Sequence, residues 1–424
     1  LLVVQFFSSP AYELYDSARY HLSVELTLRP RAEVRKNYFF RPEEPLQNGL
    51  YATQRNELAM VYQKSDIKLV LELQEIHLWA GKQGLTSTVG SIHMANAYLD
   101  LFHQKKFSLR MGRQGISLDN GRIFSDAPWA QQGRSHEGIA IFYRSAQKTW
   151  QSSAYCMFTR NYQNHFNPRY SPVGSHRYKY LAILENKFQV SKTFLLRSII
   201  AADFFNEAPM QNSFRRLTAG GSIQFTKEPV ALVTRGYFQM NQPAPAQRAI
   251  LGHYFQAEAR FTEGKTTVAI GGELLDGRPE NQQNSTIRSF DVLYGVAWKF
   301  MGNMNFFTNF PRDVAGNGLL NPYFLVQYSP THSLTLSGTL HTFHTRQPVL
   351  CTNGYGQGKR FLGLEQDLSL KQQISKAILL QAGYSFFIPE APMRYLNKIQ
   401  HENRLAFWYY LMVTFKVRGS RKSL

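Results

Sequence analysis

Between residues 22 and 36 the chain alternates without a break. The even positions are Leu22, Val24, Leu26, Leu28, Pro30, Ala32 and Val34, and the odd ones are Ser23, Glu25, Thr27, Arg29, Arg31, Glu33 and Arg35. Successive side chains of a strand point to opposite faces, so one face of this segment is apolar and the other carries five charges. If the apolar face meets lipid, a slip of one residue turns three arginines into hydrocarbon. At 2–4 kcal/mol for each at the bilayer midplane, that costs roughly 6–12 kcal/mol, less near the interfaces. The register of such a strand is strongly specified.

The same period of two recurs over most of the chain, with turn residues between the copies. The segments are 22–36, 51–63, 66–79, 92–103, 106–117, 136–146, 149–159, 177–190, 193–206, 215–227, 230–240, 250–262, 265–275, 318–329, 332–344, 359–371, 376–388 and 403–417, eighteen in all. Links after even-numbered segments are short, such as Lys64-Ser65, Gln147-Lys148, Glu228-Pro229 and Gly264, while those after odd-numbered segments are usually long, up to 276–317. Alternating short and long links, with an even strand count, are the mark of periplasmic turns and extracellular loops. A soluble sandwich or propeller gives no reason for that regularity. The expected fold is therefore all-β: a transmembrane antiparallel β-barrel of eighteen strands in the outer membrane of a Gram-negative cell.

Composition agrees. Aromatic residues make up 14% of the chain and are spread from end to end. Those at segment ends, Tyr38-Phe39-Phe40, Trp79, Trp150, Phe204-Phe205, Phe386-Phe387 and Trp408-Tyr409-Tyr410, read as two girdles at head-group depth. No apolar run is long enough for a transmembrane helix. The final segment presents Leu405, Phe407, Tyr409, Leu411, Val413, Phe415 and Val417 on one face, the aromatic-rich ending that barrel assembly machinery receives. Residues 1–20 read as a signal-peptide remnant or an N-terminal extension, 21–417 as the barrel, and 418–424 as a solvated basic tail. Neither the two cysteines, Cys156 and Cys351, nor any histidine spacing suggests a metal site or a cofactor.

The formal charge of +19 asks for an anionic partner. Basic residues alternate with acids along the segments instead of forming a stripe, which excludes nucleic acid. With apolar faces toward lipid, Arg29, Arg31, Arg35, Arg55, Arg110, Arg216, Arg235 and Arg260 point inward, with Glu25, Glu33, Glu57, Glu72, Glu258, Glu273, Glu365 and Asp367. Arginine–carboxylate ladders would hold the wall together. An excess of arginine at one depth would select anions.

The densest candidate site runs from Arg110-Met-Gly-Arg-Gln114 through Asp119-Asn-Gly-Arg122 to Trp129-Ala-Gln-Gln-Gly-Arg134-Ser-His-Glu137. On Gly112-Arg113-Gln114, Asp119 with Arg122, and Trp129 with Gly133-Arg134-Ser135, the chain resembles the alginate export family of outer-membrane channels. Segments 289–302, 28–31 and 408–415 add to that resemblance. It implies an eighteen-stranded barrel that passes an acidic polysaccharide such as alginate, or a similar anion, along an arginine-lined path. The path residues it implies are Arg113, Arg122 and Arg134, with Arg29, Arg31, Arg35 and Arg110 as neighbours and Asp119 and Glu137 as their orienting partners. Periplasmic export components are the partners such a role implies, besides outer-membrane lipid. The family's exporter has a long periplasmic loop, and every periplasmic link here is short.

Two further readings stand beside this one. Loop 276–317 carries Val292, Val296 and Phe300 at helical spacing, and it either folds into the barrel and narrows it or caps the surface. Ser135, His136 and Asp126 contain the residue types of a hydrolytic site, the alternative to a channel, and a structural barrel in a larger envelope complex is a third reading. A general anion-selective porin remains the nearest alternative to polysaccharide export.

Overall fold

The structure, a computed structural model, describes residues 20–38, 47–79, 90–159, 178–206, 213–242, 249–277, 286–297, 299–308, 310, 312–349, 358–396 and 405–419. Its first quarter is an antiparallel run of β1 (His21–Tyr38), β2 (Gln47–Lys64), β3 (Ile67–Leu78), β4 (Gly90–Leu101) and β5 (Phe107–Gln114). The run continues through β6 (His136–Arg144), β7 (Trp150–Phe158), β8 (Tyr180–Gln189), β9 (Phe194–Asn206) and β10 (Ser213–Lys227). Next come β11 (Val230–Gln242), β12 (Ala249–Glu263) and β13 (Thr266–Leu275), and after a long excursion β15 (Leu319–Thr331), β16 (Leu334–His344), β17 (Phe361–Ser375), β18 (Ile378–Pro389) and β19 (Ala406–Gly419). The two-residue strand β14 (Thr286–Ile287) lies parallel to the start of β12 and is no part of the wall. A short helix, α1 (Ala391–Leu396), follows β18.

Every wall strand pairs antiparallel with its neighbours in sequence, and β1 pairs with β19 from Val24↔Gly419 to Lys36↔Phe407. The sheet thus closes into a barrel of eighteen strands with no free edge, the condition for a strand structure to sit in lipid. All eighteen expected strands are present, with ends displaced by a few residues. β5 ends at Gln114 instead of 117, because the chain leaves the wall there, and β19 runs on to Gly419, two residues into the expected tail. Residues 1–19, the expected N-terminal extension, lie outside the described residues, as do Phe39, Phe40 and Cys351.

The alternation read from residues 22–36 is the alternation of the wall. Ser23, Thr27, Arg29 and Glu33 are buried inside, and Leu26, Leu28 and Val34 are exposed outside. Exposed leucine, isoleucine and phenylalanine continue around the outer face, with Ile270 at 64% exposure, which is far more apolar surface than water tolerates in one band. Lipid covers it. Toward the periplasmic end, outward rings touch in a chain: Phe107 with Tyr143 at 4.9 Å, Tyr143 with Trp150 at 4.8 Å, and Trp150 with Phe188 at 5.8 Å. Trp79, Tyr180 and Tyr409 are exposed near the other end. Phe387, Trp408 and Tyr410 are not girdle residues, however. They lie at inward positions of their strands and are buried.

What buries them is a second core inside the barrel. Two connections turn inward instead of standing above the rim: residues 115–135 between β5 and β6, and, between β13 and β15, the described residues from 288 to 318. From the first come Ile116, Leu118, Ile123 and Phe124. From the second come Phe290, Val296, Met301, Met304 and Phe307, all packed with Leu275, Leu319, Phe343 and Phe387 of the wall. Each large side chain buried this way contributes roughly 1.5–3 kcal/mol. Residues Val292, Val296 and Phe300 are buried here, so the second connection folds into the barrel. It does so without a helix at those positions. The helical segment described in this connection is the 3-10 turn Arg312–Val314.

Candidate functional site

The first inward loop begins where β5 departs from β4. Gly112 pairs across to Gly138 of β6, and both have positive φ, 122° and 154°. A Cβ at either would lie 2.2 Å or less from a carbonyl oxygen of a neighbouring strand, Ala97 O of β4 for Gly112 and Cys156 O of β7 for Gly138, so this backbone course requires glycine at both positions. Beyond Gly112, Gly115 N–H donates to Asn96 Oδ1 at 3.0 Å and the loop descends to Asp119. There the carboxylate is a docking point. Oδ2 accepts from Arg235 Nε at 2.6 Å, and Oδ1 from Arg197 Nη1 at 3.2 Å, Ser222 Oγ at 3.3 Å and Gln224 Nε2 at 3.3 Å. Those donors belong to β9, β10 and β11, well around the wall from β5.

Arg122 anchors the loop a second time. Its Nε donates to Glu273 Oε2 of β13 at 2.9 Å, and neither side chain has more than 1% exposure. Tyr254 OH donates to the same oxygen at 3.0 Å, and the rings of Tyr254 and Phe300 lie 5.5 and 5.3 Å from the guanidinium. Backbone pairing then ties loop to loop: Tyr294 N–H donates to Ile123 O at 3.0 Å and Ser125 N–H to Tyr294 O at 3.2 Å. Arg134 donates Nη1 to Tyr294 O at 2.7 Å and to Gly295 O, and its burial draws its pKa below the ordinary arginine value. Arg216 of β10 makes a two-pronged contact with Asp203 at 3.0 and 2.6 Å and reaches Asp291 of the second loop at 2.6 Å. Burial and the neighbouring Asp203 hold the Tyr294 hydroxyl far above its usual range, as a donor to Asp203 at 3.0 Å.

The wall opposite is built differently. Arg29 of β1 and Arg55 of β2 stand directly across from one another, a like-charge pairing that a sheet ordinarily avoids. Both guanidinium groups turn to the backbone of the first loop. Arg29 Nη1 donates to Pro128 O at 2.7 Å and Nη2 to Ala130 O, while Arg55 Nη1 donates to Ala130 O at 3.1 Å. Arg31 and Arg35, on the same face of β1, share Glu33 at 2.6 and 2.8 Å. Arg31 also stacks 4.7 Å from the Trp129 ring and Arg35 lies 5.3 Å from that of Tyr51. Glu33 accepts a third bond from Trp408 Nε1 at 3.0 Å. At this level of β1 and β2, four arginines thus face the two carboxylates Glu33 and Glu57, with Glu72 of β3 bonded to Glu57, and the side chains of Arg31 and Arg35 keep 11% and 24% of their exposure.

Below the loops a cavity of about 430 Å³ is bounded by Asn120, Arg235, Glu258, Arg260, Lys299 and Asp367, among others. Lys299 is exposed to it and donates to Asn120 O at 2.8 Å. Burial first, and then the positive charge of Arg235, lower its pKa from the ordinary lysine value.

The residues singled out in the sequence therefore fall into three groups. Arg29, Arg31 and Arg35 face the lumen on one wall. Arg110 faces it too, locked to Asp100 at 2.6 and 3.0 Å. Arg122, Arg134 and Asp119 are internal ties of the two loops, and Asp119 orients Arg197 and Arg235 instead of Arg122. Arg113 and Glu137 are misplaced by the sequence reading. They sit at outward positions of β5 and β6, bonded to each other at 2.7 Å, because an offset of three residues from inward Arg110 reverses the face. Ser135, His136 and Asp126 are not assembled for catalysis. Ser135 Oγ donates to Ala95 O, and buried His136 stacks on Tyr178 with its Nδ1 2.7 Å from that hydroxyl. Among the described residues no group of His, Cys, Asp or Glu could hold a metal ion. Sequence reasoning missed Arg197, Asp203 and Lys299.

No protein-family model matches the chain, and no curated protein matches it. Solved structures do match in shape. Acinetobacter baumannii OccAB4 aligns over 94% of this chain and 99% of its own, with a TM-score of 0.62 and 11% identity. The outer membrane protein OpdK of Pseudomonas aeruginosa covers 94% and 98%, with a TM-score of 0.60 and 11% identity. Pseudomonas aeruginosa OccK8 (OprE) covers 94% and 98%, with a TM-score of 0.61 and 10% identity. The fold is that of the eighteen-stranded outer-membrane porins, and the chain is an integral barrel of the outer membrane. The resemblance to the alginate export family finds no support among these comparisons.

Proposed function

We propose that the barrel is a channel for small anionic solutes, carboxylates above all, which pass along the Arg31–Arg35 side of the lumen and through the Arg260–Lys299 cavity. The observation that carries this reading is the charge balance of the two walls. On β9–β13 each loop-binding arginine meets a carboxylate, whereas on β1–β2 four arginines meet two. Unmatched guanidinium groups in a narrow, low-dielectric passage raise the local concentration of anions and offer planar, two-pronged contacts to carboxylates. Each contact must stay weak enough to release its ligand.

Two inward loops with a common apolar core take up part of the lumen, and this favours monomeric anions over an acidic polysaccharide such as alginate. One neighbour in shape, OpdK, has been solved with vanillate, which makes an aromatic carboxylate a sensible first probe here. The test is conductance of the purified barrel in a planar bilayer under a salt gradient. The expected reversal potential is that of an anion-preferring pore, with current reduced by millimolar vanillate and left unchanged by its neutral aldehyde. A cation-preferring pore, or one that stays closed, overturns the proposal.

A further inference from the structure

The lumen accounts for only part of the chain's positive charge. Much of the rest lies at the periplasmic rim, outside the barrel. Of the eight short turns, seven carry or directly follow a lysine: Lys64, Lys105 and Lys106, Lys148, and Lys192 at the first four, then Lys227, Lys265 and Lys376. Every one of these lysines is exposed. Acids in the same turns are few, namely Asp66, Glu228 and Glu263. Among the described residues the turn lysines make no ion pair, in contrast to the arginines of the lumen.

Their depth is set by the outward rings beside them. The Phe107–Tyr143–Trp150–Phe188 chain, and Phe194 with Phe225 at 5.0 Å, run along the outer face from β5 to β10 within a few residues of the turns. Amphipathic rings settle at the head-group boundary, so cations a residue or two beyond them stand at the level of lipid phosphate. Two lysines show the join directly, with the Lys64 ammonium 4.5 Å from the Tyr20 ring and that of Lys106 5.6 Å from Tyr143. A lysine held this way lays its apolar stem on the girdle and presents its charge outward and downward.

We infer that the periplasmic turns form a ring that binds the phosphate head groups of anionic phospholipid in the inner leaflet of the outer membrane. The contact is electrostatic, distributed around the circumference, and independent of what the lumen carries. Tight turns suit the task. Ser65 and Lys148 hold left-handed φ of 50° and 58°, which turns the chain back within two residues after Lys64 and within five between Arg144 and Trp150, so the lysines stay close to the bilayer surface.

The test uses the full chain refolded into nanodiscs of equimolar phosphatidylglycerol and phosphatidylcholine, followed by native mass spectrometry of the lipid retained on release. The expected result is at least about threefold preference for phosphatidylglycerol, lost in ~0.5 M salt and lost in the variant carrying Lys148→Gln, Lys192→Gln, Lys227→Gln and Lys265→Gln. The matching Lys→Arg variant should keep it. Heat-modifiable gel mobility checks that each variant is a folded barrel. Equal retention of both lipids by the unmodified protein overturns the inference, as does a preference that survives the four Gln substitutions. So does lysine-dependent capture of acidic cell-wall fragments by a barrel that shows no lipid preference, since that assigns the ring to the wall polymer instead.

Discussion

The two lumen walls use the same residue for opposite ends. On β9–β13 the arginines that hold the loops are matched and largely buried, Arg216 to Asp203 and Asp291, and Arg197 and Arg235 to Asp119, while Glu273 of β13 matches the loop's own Arg122. On β1–β2 they are crowded together, and two of the four turn to backbone carbonyls, which absorb hydrogen bonds without cancelling charge. The first arrangement builds a latch and the second leaves a field. An arginine in a barrel interior is therefore informative only with its partner in view.

The sharpest way to break this contrast is to unmatch one latch. Glu273→Gln leaves the Arg122 guanidinium buried without its counter-charge, at a cost of about 3–5 kcal/mol. The expected outcome is release of both inward loops, read as a lower unfolding midpoint in urea and as noisier, larger single-channel conductance. An unchanged midpoint would remove the latch from the account. The ladder should respond in reverse. Arg35→Gln is expected to move stability by less than about 1 kcal/mol, since Arg35 is the more exposed of the pair and Glu33 keeps Arg31 and Trp408 as partners, while the reversal potential shifts toward the cation side. A stability loss as large as that of Glu273→Gln would make the two walls equivalent.

Smaller effects refine the picture. Because the pKa of Lys299 is lowered, its charge should be lost at a lower pH than that of an ordinary lysine. Anion preference should accordingly fall as pH rises toward the alkaline range, with an inflection that Lys299→Met removes. A selectivity profile identical in the two proteins would exclude Lys299 from the path. Arg113→Gln should do least of all. Its ion pair with Glu137 is half exposed on the outer face, worth about 0–1 kcal/mol, and selectivity should remain that of the parent barrel. A measurable selectivity change would return Arg113 to the lumen.

The wall was legible in the sequence because lipid imposes one rule on every strand. Leu26 must face out and Arg29 in, and any other register is costly. The lining was less so. Arg122 and Glu273 are 151 residues apart, and nothing in either neighbourhood announces the other. Some signals were present and either overlooked or misread. Ile116, Leu118, Ile123 and Phe124 are too apolar for a loop in water, and they marked residues 115–135 as an inward segment. Trp408 and Tyr410 bracket outward Tyr409, so parity alone assigns them to the inside. Val292, Val296 and Phe300 are spaced as on a helix yet are buried in one core without forming one, Val296 and Phe300 against Gly121 and Arg122 of the first loop.

β13 and β15 are zipped together from Thr266↔Tyr328 to Leu275↔Leu319, so the long excursion between them leaves the wall and rejoins it at facing residues. The seam is complete whether or not that excursion is there. Container and contents are for this reason under separate constraints: the interior segment is free to drift in length and chemistry while the face toward lipid, and the ladder that closes the cylinder, stay as they are. A new cargo calls for a new insert, not a new barrel.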